Sequence, residues 1–112
     1  MLQAIHSTRE NDPILKRILG DYVANLPEQV ETMARYLAEE EVDELHRIVH
    51  QLKGSGGGYG FARITDLATQ TEASILQGDS LEQVAKAVGE LSDYIRRIAG
   101  YAGTANDPII LK

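Results

Sequence analysis

Apolar residues recur at three- and four-residue steps along most of the chain. Leu15, Ile18, Leu19, Tyr22 and Leu26 lead into Val30, Met33 and Leu37, which is helical spacing. Asp12 followed by Pro13 supplies an N-cap acceptor and a first-turn proline, a helix start signal. Pro27 removes one backbone hydrogen bond, but the apolar phase runs unbroken across it, so the pattern predicts one long kinked helix. Glu39, Glu40 and Glu41 mark a junction, and acidic residues suit the positive N-terminal end of the helix that follows. That helix carries Leu45, Ile48, Val49 and Leu52, a core-facing stripe. A further stripe of Ile64, Leu67, Ala68, Thr71 and Ile75 closes at Gly78 and Asp79. Ser80 with Gln83 forms a capping box ahead of Leu81, Val84, Val88, Leu91, Ile95 and Ile98, and Gly100 is a stop signal. Strand signals are absent. The expected fold is all-α: an antiparallel four-helix bundle over residues 1–100, with room for a short extra N-terminal helix, and a tail over residues 101–112.

A bundle of this kind does not specify a function, so composition has to narrow the field. The 112 residues hold 11 Lys+Arg against 17 Asp+Glu, a net charge of −6. That balance argues against sequence-independent nucleic-acid binding, which depends on neutralising phosphates. The absence of cysteine excludes a disulfide framework, a thiolate zinc site and a cysteine nucleophile. No apolar run approaches the roughly 20 residues of a membrane span, and Met1–Glu10 lacks a signal-peptide core. The expected compartment is the cytoplasm, with no membrane partner.

Five of the ten glycines lie between Gly54 and Gly60. Glycine in a helix interior is worse than alanine by about 1 kcal/mol, which argues for a helix that ends near Gly54 in a flexible loop. Helical phase argues for a different use. With Leu45 at zero and about 100° per residue, His50 falls near 140°, Gly54 near 180° and Gly57 near 120°, with Lys53 and His46 beside them. One histidine then sits on the outer face among residues without side chains. An imidazole is partly neutral near pH 7 and nucleophilic, and a lysine one turn on neutralises phosphoryl oxygens. The pair suits reversible phosphoryl capture, although an exposed His beside a Lys is more commonly plain solvated surface. The glycine run fits neither nucleotide-loop motif, and no strand precedes it. His46 and His50 also have the i, i+4 spacing of two metal ligands, but the glutamate of H-E-x-x-H is missing and Arg47 opposes a cation. No pair of acid and base or positioned nucleophile indicates an enzyme.

The run His50-Gln51-Leu52-Lys53-Gly54-Ser55, with Gly60 ten residues after the histidine, resembles the signature of histidine-containing phosphotransfer (HPt) domains. The resemblance covers about 25 residues in its motif and nearly the whole bundle in its helical frame. It implies that His50 accepts a phosphoryl group, that Lys53 helps hold it, and that Gly54 leaves room for a partner. Ser55 matches the small position that follows, and Gly60 the glycine where helices pass closely. It also implies a polar residue on the next helix, twenty-two positions beyond the histidine, bonded to the imidazole. Here that residue is Glu72, where the family commonly has Gln, and a carboxylate there also repels a phosphoryl group. Gly56 to Gly58 exceed the usual pattern and are expected to loosen the end of the third helical segment.

The implied function is that of a monomeric phosphorelay carrier between response-regulator receiver domains and a sensor or hybrid histidine kinase. It would have no ATP site or cofactor of its own, the receiver supplying Mg²⁺. His46, Arg47, Lys53, Gly57 and Phe61 are expected on the docking surface, with Gly54 and Ser55 among the binding residues, and Arg47 and Lys53 as a basic spot that suits an acidic receiver pocket. The alternatives are an HPt-like docking module without transfer, and a metal-binding bundle using His46 and His50.

Overall fold

A computed structural model describes residues 4–98, 100 and 101. Four helices account for most of them: α1 (Lys16–Ala38), α2 (Val42–Gly56), α3 (Ala62–Leu76) and α4 (Leu81–Arg96), with a 3-10 turn over Gly57–Tyr59. The chain is thus the all-α four-helix bundle that the apolar pattern predicts. α1 packs against α2 and α4, and α3 against the same two helices from the other side, with α2 and α3 most extensively joined. The buried stripes meet in one core that includes Leu26, Met33, Leu45, Val49, Leu52, Ile64, Leu91 and Ile95. Pro27 lies inside α1, which continues through it.

The helix ends explain the short connections. At the end of α1, Glu40 takes a left-handed φ of 58°, and the N–H groups of Glu40 and Glu41 donate back to Leu37 and Tyr36, a Schellman closure. Gly78 closes α3 in the same way, with φ 78° and bonds from Gly78 to Ile75 and Asp79 to Ser74. The capping box of Ser80 and Gln83 opens α4.

The N-terminal segment departs from the expected pattern. No extra helix forms over residues 4–15, and the regular part of α1 begins at Lys16 rather than Pro13. Asp12 still caps the entry, its Oδ1 accepting from the N–H of Ile14 at 2.9 Å and of Leu15 at 3.3 Å. The preceding residues form only single turns, Glu10 to Ser7 and Asp12 to Arg9, while Ile5 bonds to Arg97 and Thr8 to Gly60 across the fold. Tyr101, the first residue of the expected tail, is buried against the core. The rest of that tail lies outside the described residues.

Candidate functional site

α2 does not fray at its glycines. It holds regular geometry through Gly56 and continues as the 3-10 turn to Tyr59. Gly60 then ends the run at φ 87°, with Gly60 N–H donating to Gly57 O and Phe61 N–H to Gly56 O, the Schellman pattern again. The glycines differ in what surrounds them. A Cβ on Gly54 would meet nothing within 4 Å, and one on Gly57 would touch only the Thr65 hydroxyl at 3.4 Å. A Cβ on Gly56 would lie 2.7 Å from Ile64, so Gly56 is where α2 and α3 approach most closely. Gly60 does not have that role. It supplies the left-handed stop, and the N-terminal segment covers it, with the Thr8 and Arg9 N–H groups 2.9 Å from where a Cβ would stand.

The uncovered face of α2 carries a cluster bound to one residue of α3. Glu72 is buried, its side chain 10% exposed, and it accepts three hydrogen bonds. Lys53 Nζ donates to Oε1 at 2.8 Å, while His50 Nδ1 and His46 Nε2 both donate to Oε2 at 2.9 Å. An ionised carboxylate only accepts, so the shared proton at His50 belongs to Nδ1, and in the neutral ring Nε2 carries the lone pair. The His50 side chain is 67% exposed. The bonds from Lys53, then His50 and His46, bring the Glu72 carboxyl down from 4.5 to about 2, against burial, which pushes it up.

Arg47 is exposed and pairs with Glu44 at 3.5 Å. Together with Asp43, His46, His50, Gln51 and Glu72 it lines a shallow depression beside the cluster. Both cations of the expected basic spot therefore have carboxylate partners, and the net positive field there is weaker than their sum.

Two expected surface residues lie elsewhere. Phe61 is 2% exposed and belongs to the core, because the left-handed Gly60 turns the chain inward. Ser55 lies on the opposite flank of α2, its hydroxyl 2.9 Å from that of Tyr22 on α1. Tyr22 stacks on Tyr59 with ring centroids 4.1 Å apart, and burial pushes its phenol pKa up. Among the described residues, no group of three or more His, Cys, Asp or Glu side chains is arranged to hold a metal ion. Among them, too, no helix is long and apolar enough to cross a membrane.

A family model, the Hpt domain, matches residues 17–101, most of the chain. The chain belongs to the Hpt domain family. No curated protein and no solved structure matches it. Hpt domains are phosphocarrier modules of two-component signalling that interact with receiver domains and kinases in phosphorelays. The match takes in all four helices of this Hpt domain except the first residue of α1, so His50, Lys53 and Glu72 all lie inside it. Thr65 is the site residue that the motif does not show: it bonds the end of α2 from α3, a tertiary contact with no local sequence signal.

Proposed function

We propose that this Hpt domain carries a phosphoryl group on Nε2 of His50, taken from a receiver aspartate or a kinase and passed to another receiver. The observation that carries this reading is the exposed His50 ring with Nδ1 held 2.9 Å from Glu72. A carboxylate at Nδ1 selects the tautomer whose Nε2 is unprotonated and faces outward. Attack by that nitrogen on an aspartyl phosphate forms the N–P bond and breaks the P–O bond, returning a carboxylate to the receiver. The ring keeps its Nδ1 proton and becomes cationic, and Glu72 sits beside that charge. Lys53 is close enough to exchange its carboxylate partner for the oxygens of an arriving phosphoryl group.

The domain supplies the nucleophile, one cation and a bare surface at Gly54 and Gly57. Mg²⁺ and most of the transition-state electrostatics fall to the receiver, and no cofactor of the domain's own is required. The docking face consists of His46, Arg47, Gly54 and Gly57 around His50. Incubation with a phosphorylated receiver should place an acid-labile, alkali-stable phosphate on the chain. If His50→Gln accepts the same label, the assignment of His50 is wrong.

A further inference from the structure

In a continued α-helix, the Gly57 N–H would donate to the Lys53 carbonyl four residues back. Here the Thr65 hydroxyl stands between those two groups. The Gly57 N–H donates to Thr65 Oγ1 at 2.9 Å, and the Thr65 hydroxyl donates to the Lys53 carbonyl at 2.8 Å. The insertion coincides with the change from α to 3-10 geometry at Gly57. A side chain entering the backbone ladder is a recognised way to redirect a helix locally.

α3 therefore holds Lys53 at both ends. Thr65 binds its carbonyl, and Glu72 binds its ammonium at 2.8 Å. Thr65 and Glu72 are seven residues apart, two turns along one face of α3. His50, three residues before Lys53, meets the same Glu72 carboxylate. The last turn of α2 is thus set against α3 by one hydroxyl and one carboxylate, with the imidazole and the ammonium between them.

We propose that Thr65 is a positioning residue for phosphoryl transfer, fixing the backbone at Lys53 and so the place of its ammonium relative to His50. The inference rests on the reading of His50 as phospho-acceptor. Valine has nearly the shape of threonine but no hydroxyl. With Thr65→Val, the Gly57 N–H is free to close directly onto the Lys53 carbonyl, changing the pitch of the last turn of α2. The core residues of α3, Ile64, Leu67, Ala68 and Thr71, are unaffected, so the fold survives while Lys53 moves. Displacement of a charged group by about 1 Å can cost up to about a hundredfold in rate.

The test measures transfer to the full chain from a receiver domain charged with acetyl phosphate and Mg²⁺, and compares wild type, Thr65→Val, Thr65→Ser, Lys53→Ala and the Thr65→Val/Lys53→Ala double variant. Thr65→Val should lower the rate at saturating receiver by about tenfold, with half-saturation unchanged. Thr65→Ser, which keeps the hydroxyl, should recover most of that loss. In the Lys53→Ala background, Thr65→Val should cost nothing further, because its effect passes through Lys53. Equal losses in both backgrounds, or full-rate transfer by Thr65→Val, would overturn the proposal. Thermal melts establish that each variant is folded, and Thr65→Ala replaces Thr65→Val if valine is not tolerated. A wild type that takes no label on His50 would instead refute the phospho-acceptor reading itself.

Discussion

The Lys53 ammonium lies 2.8 Å from Oε1 of Glu72, the carboxylate that also binds His50, so this lysine is already paired before any phosphoryl group arrives. The pairing suits a carrier that has to release its load. On the proposed reading, an arriving phosphoryl group brings close to two negative charges and would outcompete a single carboxylate for Lys53. Once the group leaves, Glu72 takes the cation back. A phosphoryl group held by an unopposed lysine would be harder to pass on.

Lys53→Ala is expected to slow transfer to His50 by about tenfold or more, the effect of losing one charge-assisted contact. Stability should fall by about 1 kcal/mol or somewhat more, because the Lys53 side chain is 38% exposed while Glu72 is buried and keeps only its bonds from His46 and His50. Rapid-quench kinetics beside a urea melt would separate the two effects. Unchanged kinetics would remove Lys53 from the chemistry.

Glu72 gives the domain an acid-sensitive component of stability. Its carboxyl stands at about 2 in the folded chain against an ordinary 4.5. A depressed carboxyl stabilises the fold above its unfolded value, and that contribution is lost as pH falls from about 4.5 toward 2. The loss should be shallower in Glu72→Gln, which has no proton to take up. Urea midpoints measured across that interval would test this, and parallel losses in the two proteins would show that Glu72 does not carry it.

The helical stripes and the His50–Gly60 motif were legible in the sequence because both are local. Glu72 was reachable through the spacing of the resemblance, although nothing in the sequence indicated that His46 and Lys53 would join His50 on the same carboxylate. Phe61 shows where local reasoning stops. Phe61 follows closely on the motif and is expected on the docking surface, whereas one left-handed residue at Gly60 sends it into the core. The resemblance assigns to Gly60 the close helix packing that Gly56 makes, for a similar reason. Close packing at Gly56 depends on Ile64 from α3, and the cover over Gly60 comes from Ser7, Thr8 and Arg9, and periodicity carries no information about such contacts.

The close packing at Gly56 has a measurable consequence. Gly56→Ala would push a methyl group to 2.7 Å from Ile64, and overpacking of this kind costs about 1–3 kcal/mol. Gly54→Ala meets no neighbour within 4 Å and lies inside α2, so it should stabilise the domain by up to about 1 kcal/mol. Opposite signs at two glycines in one helical turn are the expected result of chemical denaturation. A stabilising Gly56→Ala would show that α2 and α3 are not in such close contact.

Gly54 also offers a way to separate docking from folding. It is four residues after His50 and therefore its neighbour on the surface of α2, and the space above it is open. Leucine there would replace bare backbone with a side chain at the place a partner has to approach, and the fold has no reason to object. Gly54→Leu is therefore expected to melt within a few degrees of wild type, since surface changes rarely exceed about 0.5 kcal/mol. Its half-saturation for a phosphorylated receiver should rise about tenfold or more, the cost of about 1.4 kcal/mol of lost contact. Gly54→Ala, whose methyl group barely extends the surface, should stay near wild type in binding. The graded series distinguishes a cleared landing surface from a glycine kept for helix geometry: a geometric requirement would penalise alanine and leucine alike, whereas a docking requirement penalises size.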